Sequence, residues 1–216
     1  MPETHNTPED IHALRQQSDA GDRGAMARLG RHHMKGEGVE KDFAAAHSLL
    51  NRAADLGEAE AMYHLGVLHR AGHGTPADSA AAVAWYRKSA HAGHVPAMLQ
   101  LAAVHTLGRI APVDHIEALR WLDRAAKTGD THAMVLLGFK LHSGKDVPKD
   151  EAAAAGWFRK AADLGSTAGM FELAMAYEAG TGVEKDAAEG EKWLKKAAEL
   201  GDISARRVLA ERQAAK

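Results

Sequence analysis

The stretch Ala61–Gly93, AMYHLGVLHRAGHGTPADSAAAVAWYRKSAHAG, decides the fold, because its marked positions return every 36 residues. Its opening pair Ala61-Met62 recurs as Ala25-Met26, Ala97-Met98, Ala133-Met134 and Gly169-Met170, and Ala205 continues the series. Four residues on stand Leu29, Leu65, Leu101, Leu137, Leu173 and Leu209. Gly36, Gly72, Gly108, Gly144 and Gly180 follow, then Asp42, Asp78, Asp114, Asp150 and Asp186. The second half of each period carries Leu49, Trp85, Trp121, Trp157 or Trp193, a small pair, and a closing glycine at 57, 93, 129, 165 or 201. A fixed period of this length is the signature of stacked supersecondary units.

Each column has a physical role. Counting the alanine as offset 0, Ala, Leu, Gly and His or Tyr at offsets 0, 4, 5 and 8 form one stripe of a first helix, A, and the small ones let a neighbouring helix approach. The glycine at 36 and its equivalents end helix A in the left-handed conformation. The aspartates stand where a second helix, B, begins and accept hydrogen bonds from its free amides. The Trp column and the small pair are read as a large knob and a shallow hole on helix B, which the last glycine ends.

The arrangement resembles the Sel1-like repeat, a relative of the tetratricopeptide repeat. Ala61–Gly93 and Gly169–Gly201, GMFELAMAYEAGTGVEKDAAEGEKWLKKAAELG, carry the likeness, which extends over residues 11 to 210. The resemblance implies an all-α, right-handed α-solenoid (superhelix) of five 36-residue helix-turn-helix repeats, with A helices on a concave inner face. The expected boundaries are a flexible N-terminus at 1–7, a capping helix at 8–22, repeats at 23–58, 59–94, 95–130, 131–166 and 167–202, and a capping helix at 203–216. Thr7-Pro8-Glu9-Asp10 reads as an N-cap, a proline at the first helical position and an acidic first turn, predicting a helix over Pro8–Ala20. At the other end Arg206 and Gln213 replace apolar columns, as a cap facing water requires.

Composition agrees and narrows function. Of 216 residues 45% are hydrophobic and only 5% aromatic, which suits close-packed, alanine-rich helices better than strands. Lys+Arg 27 against Asp+Glu 29 leaves a formal charge of -2, and basic groups are as short as Lys195-Lys196 and Arg206-Arg207, so nucleic acid is not an expected partner. Cysteine is absent, which removes disulfides, thiolate metal sites and cysteine nucleophiles. The start, MPETHNTPED, has no apolar segment, and no run reaches membrane-spanning length, so a cytoplasmic protein without membrane association is expected.

His64, His69 and His73 raise the question of a metal. His64 and His69 are five apart and face differently on a helix. His69 shares its column with His33, His105, Leu141 and Tyr177, which suits packing. Successive A helices lie roughly 8–10 Å apart, whereas two histidines on one zinc must lie within about 4 Å. His73 falls in a variable loop column, and His94 lies past the helix-ending Gly93. No metal and no cofactor are expected.

The resembled family serves as adaptors and scaffolds, so a non-catalytic protein-interaction module is expected, a monomer whose partner is a protein or peptide. Binding is placed on variable A-helix columns of the inner face. Offsets 3 and 7 give Arg28, His32, His64, Leu68, Gln100, Val104, Leu136, Lys140 and Glu172, with Lys35 beside them. Offsets 2 and 6, such as Tyr63 and Phe139, are apolar and read as packing between repeats. Ile110 stands where other repeats have Gly38, Gly74 and Gly182; a β-branched residue avoids positive φ, so the 109–113 loop should differ and expose Ile110 as a contact point. A dedicated partner that neutralises a toxin is the alternative reading. A hydrolase like the β-lactam-binding cysteine-rich relatives is disfavoured, since their paired cysteines and the S-x-x-K, G-x-S-x-G and H-E-x-x-H patterns are absent. Fourteen histidines would raise the net charge near pH 6 and raise the question of pH-sensitive binding.

Overall fold

The computed structural model describes residues 8–214, so the expected flexible segment 1–7 and the Thr7 cap lie outside the described residues. Helix α1 (Pro8–Asp19) comes first, ending one residue before the expected Ala20. The A helices of the five periods are α2 (Arg23–Lys35), α4 (Ala59–Ala71), α6 (Val95–Leu107), α8 (Thr131–Ser143) and α10 (Thr167–Ala179). The B helices are α3 (Phe43–Asp55), α5 (Ser79–His91), α7 (His115–Lys127), α9 (Glu151–Asp163) and α11 (Ala187–Glu199), and α12 (Ile203–Ala214) closes the series. There is no strand among the described residues. None of their helices is long and apolar enough to cross a membrane.

Helix ends follow the repeat. Asp42 accepts from the amides of Ala44 and Ala45, and Asp78, Asp114, Asp150 and Asp186 each accept from an amide at 2.8–2.9 Å. The A helices stop at Gly36, Gly72, Gly108, Gly144 and Gly180, all with φ between 62° and 77°, which a side chain adopts only at a cost.

The chain forms two compact units, Met1–Val113 and Asp114–Lys216. In the first, α1 to α6 each pack on the next, and α2 also meets α4. Its core gathers Met26, Leu50, Ala61, Leu65 and Leu68, and a second cluster joins Leu14 of α1 to Ala25 and Leu29 of α2. In the second, α7 to α12 pack in the same order, and α8 meets α10.

The knob of helix B is not the Trp column. Its following neighbours Leu50, Tyr86, Leu122, Phe158 and Leu194 are at most 5% exposed, whereas Trp85, Trp157 and Trp193 are half-buried and only Trp121, at 6%, is buried as well. The knobs enter holes left by offset 5 of helix A. A Cβ on Gly66 would stand 2.6 Å from the Tyr86 ring, and one on Gly138 would stand 2.4 Å from Phe158. Each tryptophan instead lies under a cation three residues on, Lys88, Arg124, Lys160 or Lys196, at 4.0–5.6 Å.

Candidate functional site

Packing consumes the repeat-fixed columns. Ala25, Ala61, Ala97, Ala133 and Ala205 have no exposed surface, and the offset-4 leucines from Leu29 to Leu173 are at most 5% exposed. What faces solvent on the A helices is therefore the variable remainder.

The expected site residues divide accordingly. Arg28 and Lys35 are exposed, with Lys35 paired to Glu37 at 3.4 Å. His64, Gln100, Ile110, Leu136, Lys140 and Glu172 are half-buried. Three residues of offset 7 correct the expectation: His32, Leu68 and Val104 are 5%, 0% and 4% exposed. Offsets 0, 4 and 7 share one face at 3.6 residues per turn, so this column belongs to the buried stripe. His32 turns Nδ1 to the Glu37 carbonyl at 2.8 Å.

Within the first unit Gln100, Val104 and Ile110 come together. With Arg70 of α4, Ala103, Leu107 and Arg109 they line a groove of about 190 Å³. Ile110 is half-buried in this lining, which corrects its expected exposure. The loop does depart from its relatives: Gly38, Gly74, Gly182 and Asp146 have φ between 65° and 77°, and Asp146 is the only non-glycine at positive φ among the described residues. Asp146 lies 3.7 Å from His115.

The second unit has its own groove, of about 200 Å³, lined by Glu172, Met175, Ala176, Ala179 and Thr181, with His142 of α8 and Glu151, Ala154, Ala155 and Phe158 of α9. Burial and the nearby Asp202 carboxylate hold the Glu172 carboxyl above the usual glutamate range. The two grooves occupy the same repeat positions two periods apart: Gln100 answers to Glu172, Ala103 to Met175, Leu107 to Ala179, Arg109 to Thr181 and Arg70 to His142. Both volumes fall below the roughly 300–1,000 Å³ of small-molecule sites.

A polar cluster escaped the sequence reading. Glu60 meets Arg31 at 3.0 Å and His64 at 3.6 Å. Tyr63 lies between the His64 and His94 rings, at 5.4 and 5.3 Å. The hydrogen bond to His64 pulls the Glu60 carboxyl below its usual range, with Arg31 assisting and burial opposing. Burial holds the His94 imidazole below its ordinary value, against the pull of Glu60. The available signal was the cap column, where Glu58 and His94 replace the bonding Asp22, Asp130 and Ser166 and make no side-chain cap.

Of the other histidines, His69 meets the His47 ring edge-on at 5.5 Å, and His73 stacks on Phe43 at 4.3 Å. Burial, then His69, lowers the His47 pKa. No group of three or more His, Asp or Glu side chains is placed to hold a metal among the described residues.

The Sel1 repeat pattern matches five times, at residues 24–58, 59–94, 95–130, 131–166 and 167–202. A protective antigen of uropathogenic Escherichia coli with an SLR fold is similar at 29% identity and a TM-score of 0.72, over 92% of this chain and 43% of that one. The chain thus spans less than half the length of that antigen. A Sel1 repeat protein of Oxalobacter formigenes is similar at 26% identity and a TM-score of 0.72, over 92% and 86% of the two chains. An immunity protein of Pseudomonas aeruginosa shares the fold at 20% identity and a TM-score of 0.57, over 92% and 76%. No curated protein matches the chain. With five contiguous matches and an all-α solenoid of repeats, the chain belongs to the Sel1 repeat family.

Proposed function

We propose that the chain is a non-catalytic protein-interaction module that holds a partner on the variable positions of its A helices. One observation carries the reading: each unit has a small groove at the same repeat address, where variable polar side chains, Arg70, Gln100 and Arg109 in one and His142, Glu172 and Thr181 in the other, stand beside packed apolar ones. Packing accounts for Val104 in the first lining and for Phe158, Ala154, Ala155 and Ala176 in the second, but not for the polar side chains beside them. Their size suits one or two side chains of a partner protein better than a metabolite.

The test is a pull-down from the native host with wild type, Ala103→Trp, which fills the first groove, and Ala179→Trp, which fills the second. Circular dichroism checks that each variant folds. Loss of a stoichiometric partner from either variant is expected. Retention by both folded variants would move binding off the grooves. Recovery of one tight partner, as against several, would distinguish a dedicated toxin-neutralising role from a general scaffold.

A further inference from the structure

The chemistry of the first groove goes further and names an occupant; this step rests on the interaction role proposed above. Ala103, Val104 and Ile110 give the lining an aliphatic character, and Leu107, 58% exposed, extends it. Val113, 52% exposed, adds apolar surface in the same loop. The lining also carries two exposed arginines, Arg70 from α4 and Arg109 from the loop after α6. Neither takes part in the ion pairs of the described residues, although Arg70 also acts on the neutral Tyr86 hydroxyl. Arg31 and Arg212, by contrast, are matched by Glu60 and Glu178.

Two guanidinium forks without carboxylates beside exposed aliphatic surface define a complement. Arginine forks match carboxylates in geometry as well as charge, and exposed aliphatic surface is covered most favourably by aliphatic side chains. A free phosphate or a nucleic-acid backbone would satisfy the arginines and leave Leu107 and Ile110 uncovered. We infer that the first groove docks a segment of a partner protein in which acidic residues flank leucine or isoleucine. The aliphatic side chain packs against Ala103, Val104 and Ile110, the acids pair with Arg70 and Arg109, and the Gln100 amide supplies a hydrogen bond to the segment. The second groove has His142, Glu172 and Thr181 at the matching places and refuses such a segment.

Fluorescence anisotropy with two labelled, C-terminally amidated peptides, GEDLLEDG and GKKLLKKG, tests this on the full chain and on the Arg70→Glu/Arg109→Glu double variant. Both positions are exposed, so the variant is expected to keep its helices, checked by circular dichroism. The acidic probe should bind wild type saturably, at least tenfold more weakly in the variant, and more weakly in 0.5 M salt, a concentration at which charges are screened within roughly 3–10 Å. The basic probe should prefer the variant. Absence of saturable binding of the acidic probe, or equal binding by both proteins, would overturn the inference. If the acidic probe fails while Ala103→Trp still loses the natural partner, the inference falls and the interaction role stands. If both filled grooves keep the partner, binding lies off the grooves and both the groove placement proposed above and this inference fall.

Discussion

The grooves of the two units share an address and differ in depth and charge, and the difference traces to a few side chains. In the first, the larger Val104 and Leu107 stand where the second has Ala176 and Ala179. The second groove accordingly reaches the B helix, where Phe158, Ala154 and Ala155 line it, while Tyr86, the first unit's counterpart of Phe158, lies outside the lining. Arg70, Gln100 and Arg109 make the first groove cationic; His142, Glu172 and Thr181 make the second acidic. The repeat sets where a groove forms, and residues on which packing depends least set what it prefers.

The hardest test of that division removes a knob. Phe158→Ala should cost about 3–5 kcal/mol, and Tyr86→Ala a similar amount, as read from urea unfolding followed by circular dichroism. Equal costs would show that the two rings serve packing alike although only one lines a groove. A Tyr86 cost below half that of Phe158 would break the equivalence of the units.

Filling the holes should come next. Gly66→Ala and Gly138→Ala each force a methyl against an aromatic ring and should lose about 1–3 kcal/mol, despite alanine's better helix propensity. Gly156→Ala is the control: nothing lies within 4 Å of a Cβ there, so it should gain about 0.5–1 kcal/mol.

The A-helix caps separate two periods of the first unit from the rest: Asp22, Asp130 and Ser166 each accept an amide, and Glu58 and His94 do not. Asp130 accepts from the Ala133 amide at 2.7 Å, and Asp130→Ala should cost about 0.5–2 kcal/mol. Glu58 makes no such bond, so Glu58→Ala should change the melting temperature much less than Asp130→Ala does.

The smallest effects are those of pH. His94 and His47 in the first unit are held below their ordinary value by burial. The unfolded chain takes up protons first as pH falls through about 6.5, so stability should decline there; in His94→Gln that decline should be shallower. Glu172 in the second unit is held above its usual range, which weakens folding above the unfolded value of about 4.5 and not below it. Glu172→Gln should therefore stabilise at neutral pH, with the gain fading in acid. A gain that persists below pH 4 would point to packing instead of charge.

The alternation of helices was legible in the sequence because a strict period repeats each signal. Gly36 and Asp42 do in one unit what Gly180 and Asp186 do in another. The candidate site was legible only in pieces. Gln100, Val104 and Ile110 were reachable from the register, but Arg70 was not, since it joins them across adjacent helices at an unrelated offset. His32 and Leu68 were misplaced because offset 7 was judged by its variability, whereas its angle on the helix puts it in the core. The Trp column was taken for the knob on size, whereas the residue after it points into the hole and three of the four indoles lie half-buried beneath a cation.

That last placement gives the molecule an internal optical reporter. Its four tryptophans occupy one column, at 85, 121, 157 and 193, and the first period has Leu49 there. Indole emission therefore samples four periods, with Trp121 more buried than the other three, and Trp85 also senses the first through the core it shares with Met26 and Leu50. Repeat proteins can lose terminal units before central ones. Fraying confined to α1 would pass unseen by fluorescence while ellipticity already falls, and the gap between the two traces would measure it.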